Sequence, residues 1–127
     1  MALMEWNEEE YGTGVEFADN EHKTIFSFLN GVDEAAGAGD QEKARKIMAD
    51  LTDYTARHFE SEECAMVRKG YENVVIHKLS HFKFVTMLLE IQTSSDDITQ
   101  EATLNAKEWF TKHIQNEDRL YEKTLNA

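Results

Sequence analysis

From Ala18 onward, apolar side chains recur every three to four residues, the period of an amphipathic helix, and strand-like alternation is essentially absent. Ala18, Ile25, Phe26, Leu29 and Val32 form the first stripe, which predicts a helix over 19–36 with His22 on the same face. Gly37-Ala38-Gly39 stops it, and Asp40 is placed to cap the next. A second helix is predicted over 41–69, with Ala44, Ile47, Leu51, Tyr54, His58, Glu62 and either Ala65 or Met66 inward. Val74, His77, His81, Phe84, Leu88 and Ile91 define a third over 73–92. Beyond a polar turn, a fourth is predicted over 98–123, with Ala106, Trp109, Phe110, His113, Ile114, Glu117 or Asp118, and Tyr121 inward. Residues 1–17 read as an irregular arm carrying Trp6, Tyr11 and Phe17. The chain has no proline to interrupt any of these helices. Helices of about 20 residues are each roughly 30 Å long, and short loops make neighbours antiparallel. The prediction is an all-α fold: an up-down-up-down antiparallel four-helix bundle in one domain over 1–127.

The stripes contain residues that an apolar core rejects. His58, Glu62, His77 and His81 stand where leucine belongs, and His22 and His113 lie on the inward faces of the other two helices. All five histidines of the chain therefore face the predicted core. Burying so many unpaired polar groups is untenable unless one thing satisfies them together, and a metal does that. His77-x-x-x-His81 and His58-x-x-x-Glu62 each place two donors one turn apart on one helix face. His113 and Asp118 are five apart, splayed by roughly 140° in regular α-geometry, so a widened, π-like turn would help both face inward. Five histidines and two carboxylates exceed the four ligands of a structural zinc site and suit two ions sharing two carboxylates. An imidazole-rich shell with open positions favours iron. The ferritin-like alternative needs Glu-x-x-His pairs, and none occurs.

Composition removes several other functions. The net charge of −12 makes nucleic acid and anionic membrane poor partners. No apolar run approaches the roughly 18 residues of a membrane span. The first residues lack the basic start and apolar stretch of a signal peptide. Cys64 is the single cysteine, so no internal disulfide can form, and a reducing, cytoplasmic setting is expected. Cys64 itself reads as a packing or surface thiol, and Tyr121 as core packing first and hydrogen-bond donor second. The two tryptophans read as hydrophobic anchors.

Taken in order, His22, His58-x-x-x-Glu62, His77-x-x-x-His81 and His113-x-x-x-x-Asp118 resemble the ligand pattern of the hemerythrin family, in particular its single-domain bacterial type. The resemblance covers nearly the whole chain, including Trp6, the His22-Lys23-x-Ile25-Phe26 run and Gly70-Tyr71. It implies a non-haem di-iron centre with a bridging oxo or hydroxo group. His77, His81 and His113 would hold one iron, His22 and His58 the other, and Glu62 and Asp118 would bridge them. In the family, dioxygen binds as hydroperoxide at the open position of the iron with two histidines, and leaves again. Ile25, Phe59, Trp109, Phe110 and Ile114 would form the dry oxygen pocket.

Two positions depart from the family pattern. Phe110 stands where leucine is common, and Glu117 where an apolar residue is common. Turned inward, Glu117 could donate a proton and promote autoxidation or peroxidase chemistry; the favoured placement is solvent-facing. The expected function is oxygen carriage or storage by a monomer, without a catalytic residue. The alternatives are a di-iron peroxidase, oxidase or nitric oxide reductase, and a module sensing oxygen, nitric oxide or iron. Small anions are further candidate ligands. A sensing module usually carries an output domain, and the chain ends within a few residues of the fourth helix, which counts against that class.

Overall fold

The computed structural model describes residues 3–127, so the first two residues of the arm lie outside it. Four long helices carry the fold: α2 (Glu16–Gly37), α3 (Gln41–Arg68), α4 (Val74–Thr93) and α5 (Gln100–Asn116), preceded by the one-turn helix α1 (Glu8–Tyr11). Packing runs α2 on α3, α3 on α4, α4 on α5 and α5 back on α2, which closes a four-helix bundle. No strand occurs among the described residues.

Local chemistry sets the helix ends. Asp40 caps α3 by accepting from Lys43 N at 3.1 Å, and Thr99 caps α5 by accepting from Ala102 N at 3.0 Å. Gly39 and Gly70 take φ of +75° and +72° after α2 and α3, and Tyr71 N then reaches back to Met66 O at 2.8 Å. Arg45 on α3 donates to the carbonyls of Gln92, Ser94 and Asp96, and Gln41 bonds Ile98 in both directions. The loop after α4 is thereby fixed to the start of α3.

The arm is more ordered than the irregular segment that its sequence suggests. Asn7 caps α1, Met4 exchanges two 2.8 Å hydrogen bonds with Asn30, and Trp6 and Tyr11 pack on Phe26. Arg119 donates to the carbonyls of Glu9, Glu10 and Gly12, while buried Asp19 accepts from Thr13 N and Oγ1.

The helix expected over 98–123 is instead broken. The α5 helix ends at Asn116, Glu117 leaves helical geometry at φ −121° and ψ −50°, and a 3₁₀ turn (Asp118–Tyr121) leads into α6 (Glu122–Leu125). This break, in place of a widened turn, brings Asp118 onto the same inward side as His113. Ile47, Tyr54 and Ile91 are only half-buried, and Met48 and Thr55 take the deeper positions on α3. Two apolar clusters result. The larger holds Ile25, Leu29, Leu51, Phe84, Phe110 and Ile114; the smaller holds Val15, Ala18, Met66, Tyr71 and Tyr121. The histidines and carboxylates form a polar layer touching both, since His22 meets Phe110 and His77 meets Tyr121.

Candidate metal centre

Each long helix contributes to that layer: His22 from α2, His58 and Glu62 from α3, His77 and His81 from α4, and His113 from α5. Asp118 comes from the 3₁₀ turn. All seven side chains are buried. Every histidine turns its Nε2 inward. Glu62 Oε2 lies 3.2 Å from His22 Nε2 and 3.1 Å from His58 Nε2, while its Oε1 lies 3.1 Å from His81 Nε2 and 3.8 Å from His77 Nε2. Asp118 Oδ1 lies 2.8 Å from His77 Nε2 and 3.0 Å from His113 Nε2, while its Oδ2 lies 3.2 Å from His22 Nε2. The carboxylates thus present one oxygen to each of two groups, three histidines on one side and two on the other. Ligand atoms of Glu62, His77, His81, His113 and Asp118 all lie within 4.8 Å of one another, and those of His22, His58 and Glu62 form a second such set.

These donors fit bound cations better than they fit each other. Nε2 of His58, His81 and His113, Oε1 of Glu62 and Oδ2 of Asp118 are buried without a hydrogen-bond partner. Such groups are costly in a dry interior unless a further group satisfies them. Nitrogen and carboxylate donors with five imidazoles suit a transition metal.

The outer nitrogens are held from behind. His58 Nδ1 meets Glu21 Oε1 at 2.6 Å, His81 Nδ1 meets Glu63 Oε2 at 2.8 Å, and His113 Nδ1 meets Glu117 Oε2 at 2.9 Å. A carboxylate on Nδ1 leaves Nε2 as the inward lone pair and strengthens it as a donor. Tyr121 donates from its hydroxyl to Glu62 Oε2 at 2.7 Å. Burial, with Glu62 and Asp118 close by, pushes this phenol well above its ordinary pKa, so it stays protonated.

Without an ion between them, the inward groups pair as charges. Burial opposes a charged His58, yet the Glu62 carboxylate and the Glu21 hydrogen bond override it and push its pKa up to about 10. Burial equally opposes a charged His113, and Asp118 with Glu117 pushes it up to about 10. Burial disfavours ionised Glu62, and His58, His22 and His81 hold it well below the usual carboxylate range. Burial and Glu62 act against ionised Asp118, and His113 with His22 holds it low as well.

The model of the hemerythrin HHE cation-binding domain matches residues 13–125. The chain belongs to the hemerythrin family. It is 37% identical to the bacteriohemerythrin of Methylococcus capsulatus, with 100% of both chains covered. It is 33% identical to myohemerythrin-1 of Phascolopsis gouldii over 84% of this chain and 82% of that one. A solved wild-type hemerythrin is 37% identical with a TM-score of 0.96, covering 99% of this chain and 100% of that one. The hemerythrin bundle and its buried His/Glu/Asp cluster, compatible with a di-iron oxygen-binding site, are therefore present in this chain.

Of the pocket residues expected from the hemerythrin pattern, the three aromatic ones lie against ligand histidines. Ile25, Phe110 and Ile114 are fully buried, and the Phe110 ring stands edge-on to His22 at 5.4 Å. Phe59 instead stacks flat on His81 at 3.7 Å, and half-buried Trp109 stacks on His113 at 4.8 Å, both against the three-histidine group. Glu117 is not the solvent-facing glutamate expected from the sequence. It is half-buried, accepting from Ser80 Oγ at 2.7 Å and meeting His113 Nδ1. Cys64 is exposed. Glu21 and Glu63 were not singled out by sequence reasoning. One signal was available: Glu21, Glu63 and Glu117 are chain neighbours of His22, Glu62 and Asp118.

Proposed function

We propose that this protein binds dioxygen reversibly at two iron ions, as a carrier or store in the cytoplasm. The observation that carries this reading is the division of the buried layer. Each of Glu62 and Asp118 offers one oxygen to either side, so His77, His81 and His113 would serve one ion and His22 and His58 the other. Two iron ions with an oxo or hydroxo group, held by these seven residues, would supply the reversible two-electron chemistry that oxygen uptake and release need. The protein supplies the rest. With two nitrogens against three, the His22/His58 side would leave its ion the open position. Ile25, Phe110 and Ile114 keep water and anions away from it. Glu21, Glu63 and Glu117 hold three of the rings in their donor tautomer.

Carriage is favoured over oxidative catalysis because Glu117, like Glu21 and Glu63 a chain neighbour of a ligand, is turned onto the outer nitrogen of a histidine, here His113 Nδ1, and onto Ser80. The single exposed cysteine is compatible with a reducing compartment. The test is an absorption spectrum of the reduced, iron-loaded protein before oxygen, after oxygen and after degassing, alongside an iron count. Two irons per chain and a band that appears with oxygen and disappears on degassing are expected. One zinc and no iron after expression in iron-replete medium would sink the reading.

A further inference from the structure

Tyr121 sits in the 3₁₀ turn, fully buried, with its ring stacked on His77 at 5.8 Å and its edge against Tyr71. Its hydroxyl reaches one carboxylate oxygen only, Glu62 Oε2. That is the oxygen facing His22 and His58. Among the described residues, no hydroxyl or amide donates to Glu62 Oε1 or to either oxygen of Asp118. The two sides of the layer therefore differ in more than their number of histidines.

A hydrogen bond donated to a carboxylate oxygen takes up part of its negative charge, and a dry surrounding strengthens that effect. An oxygen so engaged stabilises a triply charged cation less than a bare one does, and the loss is smaller for a doubly charged cation. We propose that Tyr121 is a positioning residue that, through Oε2 of Glu62, biases the iron held by His22 and His58 toward the ferrous state. The ferrous state is the one able to take up oxygen again. This inference rests on the two-iron reading above.

The test uses the full-length, iron-loaded protein in three forms: the parent, Tyr121→Phe, and Tyr121→3-fluorotyrosine. Fluorination keeps the ring's shape and makes the phenol a stronger donor. All three are expected to hold two irons with equal helix content. At the potential where the parent is half oxidised, the ferric-to-ferrous ratio of Tyr121→Phe should rise about fivefold, the factor for one net hydrogen bond. The fluorinated form should move the opposite way. The two ferric signals in a Mössbauer spectrum should draw together in Tyr121→Phe. Two irons with an unchanged ratio in Tyr121→Phe overturns the inference, as does movement of both variants in one direction. If Tyr121→Phe loses iron, the fluorinated form decides: a shift toward ferrous supports the inference, and no shift overturns it. A parent without two irons overturns the two-iron reading, and this inference with it.

Discussion

Glu62 joins more of the centre than any other side chain: one oxygen faces His22, His58 and the Tyr121 hydroxyl, the other His81 and His77. Glu62→Ala should release iron and leave buried histidines without their counter-charge. Stability should fall by about 3–5 kcal/mol, the cost of breaking a buried charged pair. Iron analysis and the denaturation midpoint check both; full iron with an unchanged midpoint contradicts the bridging role. Ile114 tests the wall of the open side. Ile114→Glu places an acid beside that side, and the oxygenated spectrum should decay at least about tenfold faster, with iron retained. Leu79 lies near His77 in the chain but is 58% exposed, so Leu79→Glu is the surface control and should decay like the parent. The inward ligands were legible in the sequence because a histidine on a leucine stripe contradicts its neighbours. Glu21 and Glu63 were not, because a half-exposed glutamate among 25 acidic residues looks like any solvated one.

At the level of elements, the long helices follow from apolar period, caps and glycines, and the observed α2, α3 and α4 differ from expectation by a few residues at their ends. The broken fourth helix did not follow. No glycine or proline marks Glu117, and the local sequence would continue as helix. What breaks it is tertiary: His113 and Asp118 both turn inward, and five helical residues cannot present both on one line. Gly70 is the opposite case, where a local requirement is visible in the chain. Its φ is +72° and a Cβ there would meet nothing within 4 Å, so the cost of Gly70→Ala is backbone strain alone. A loss of about 1 kcal/mol is expected in a denaturant titration, with an unaltered iron spectrum.

Across the whole molecule, the polar layer ties the two apolar clusters together, and its charge state sets how stability varies with pH. In iron-free protein, His58 and His113 have pKa values of about 10, above the ordinary 6.5. Their contribution is complete below pH 6.5 and is lost as pH rises toward 10. Glu62 and Asp118 titrate below the usual range, so their contribution is present above about pH 4 and lost on further acidification. Iron-free protein should therefore melt highest between about pH 4.5 and 6.5. Iron needs neutral histidines, so loading releases protons and the melting gap between loaded and iron-free protein should widen from pH 6 to pH 9. Thermal melts of chelator-stripped and loaded samples across that range decide it.

The arm gives the centre an outward sign. Arg119 follows Asp118 directly and holds the carbonyls of Glu9, Glu10 and Gly12. A backbone movement that carries Asp118 outward would also strain that grip, so opening of the centre at Asp118 is expected to loosen the arm. Whatever holds Asp118 in place suppresses the event in proportion to its affinity. Backbone amides of Thr13 and Val15, bonded to Asp19 and Thr13 side chains, should exchange with deuterium markedly more slowly in loaded protein than in stripped protein. A few protons in the arm thus report how tightly the buried centre is held.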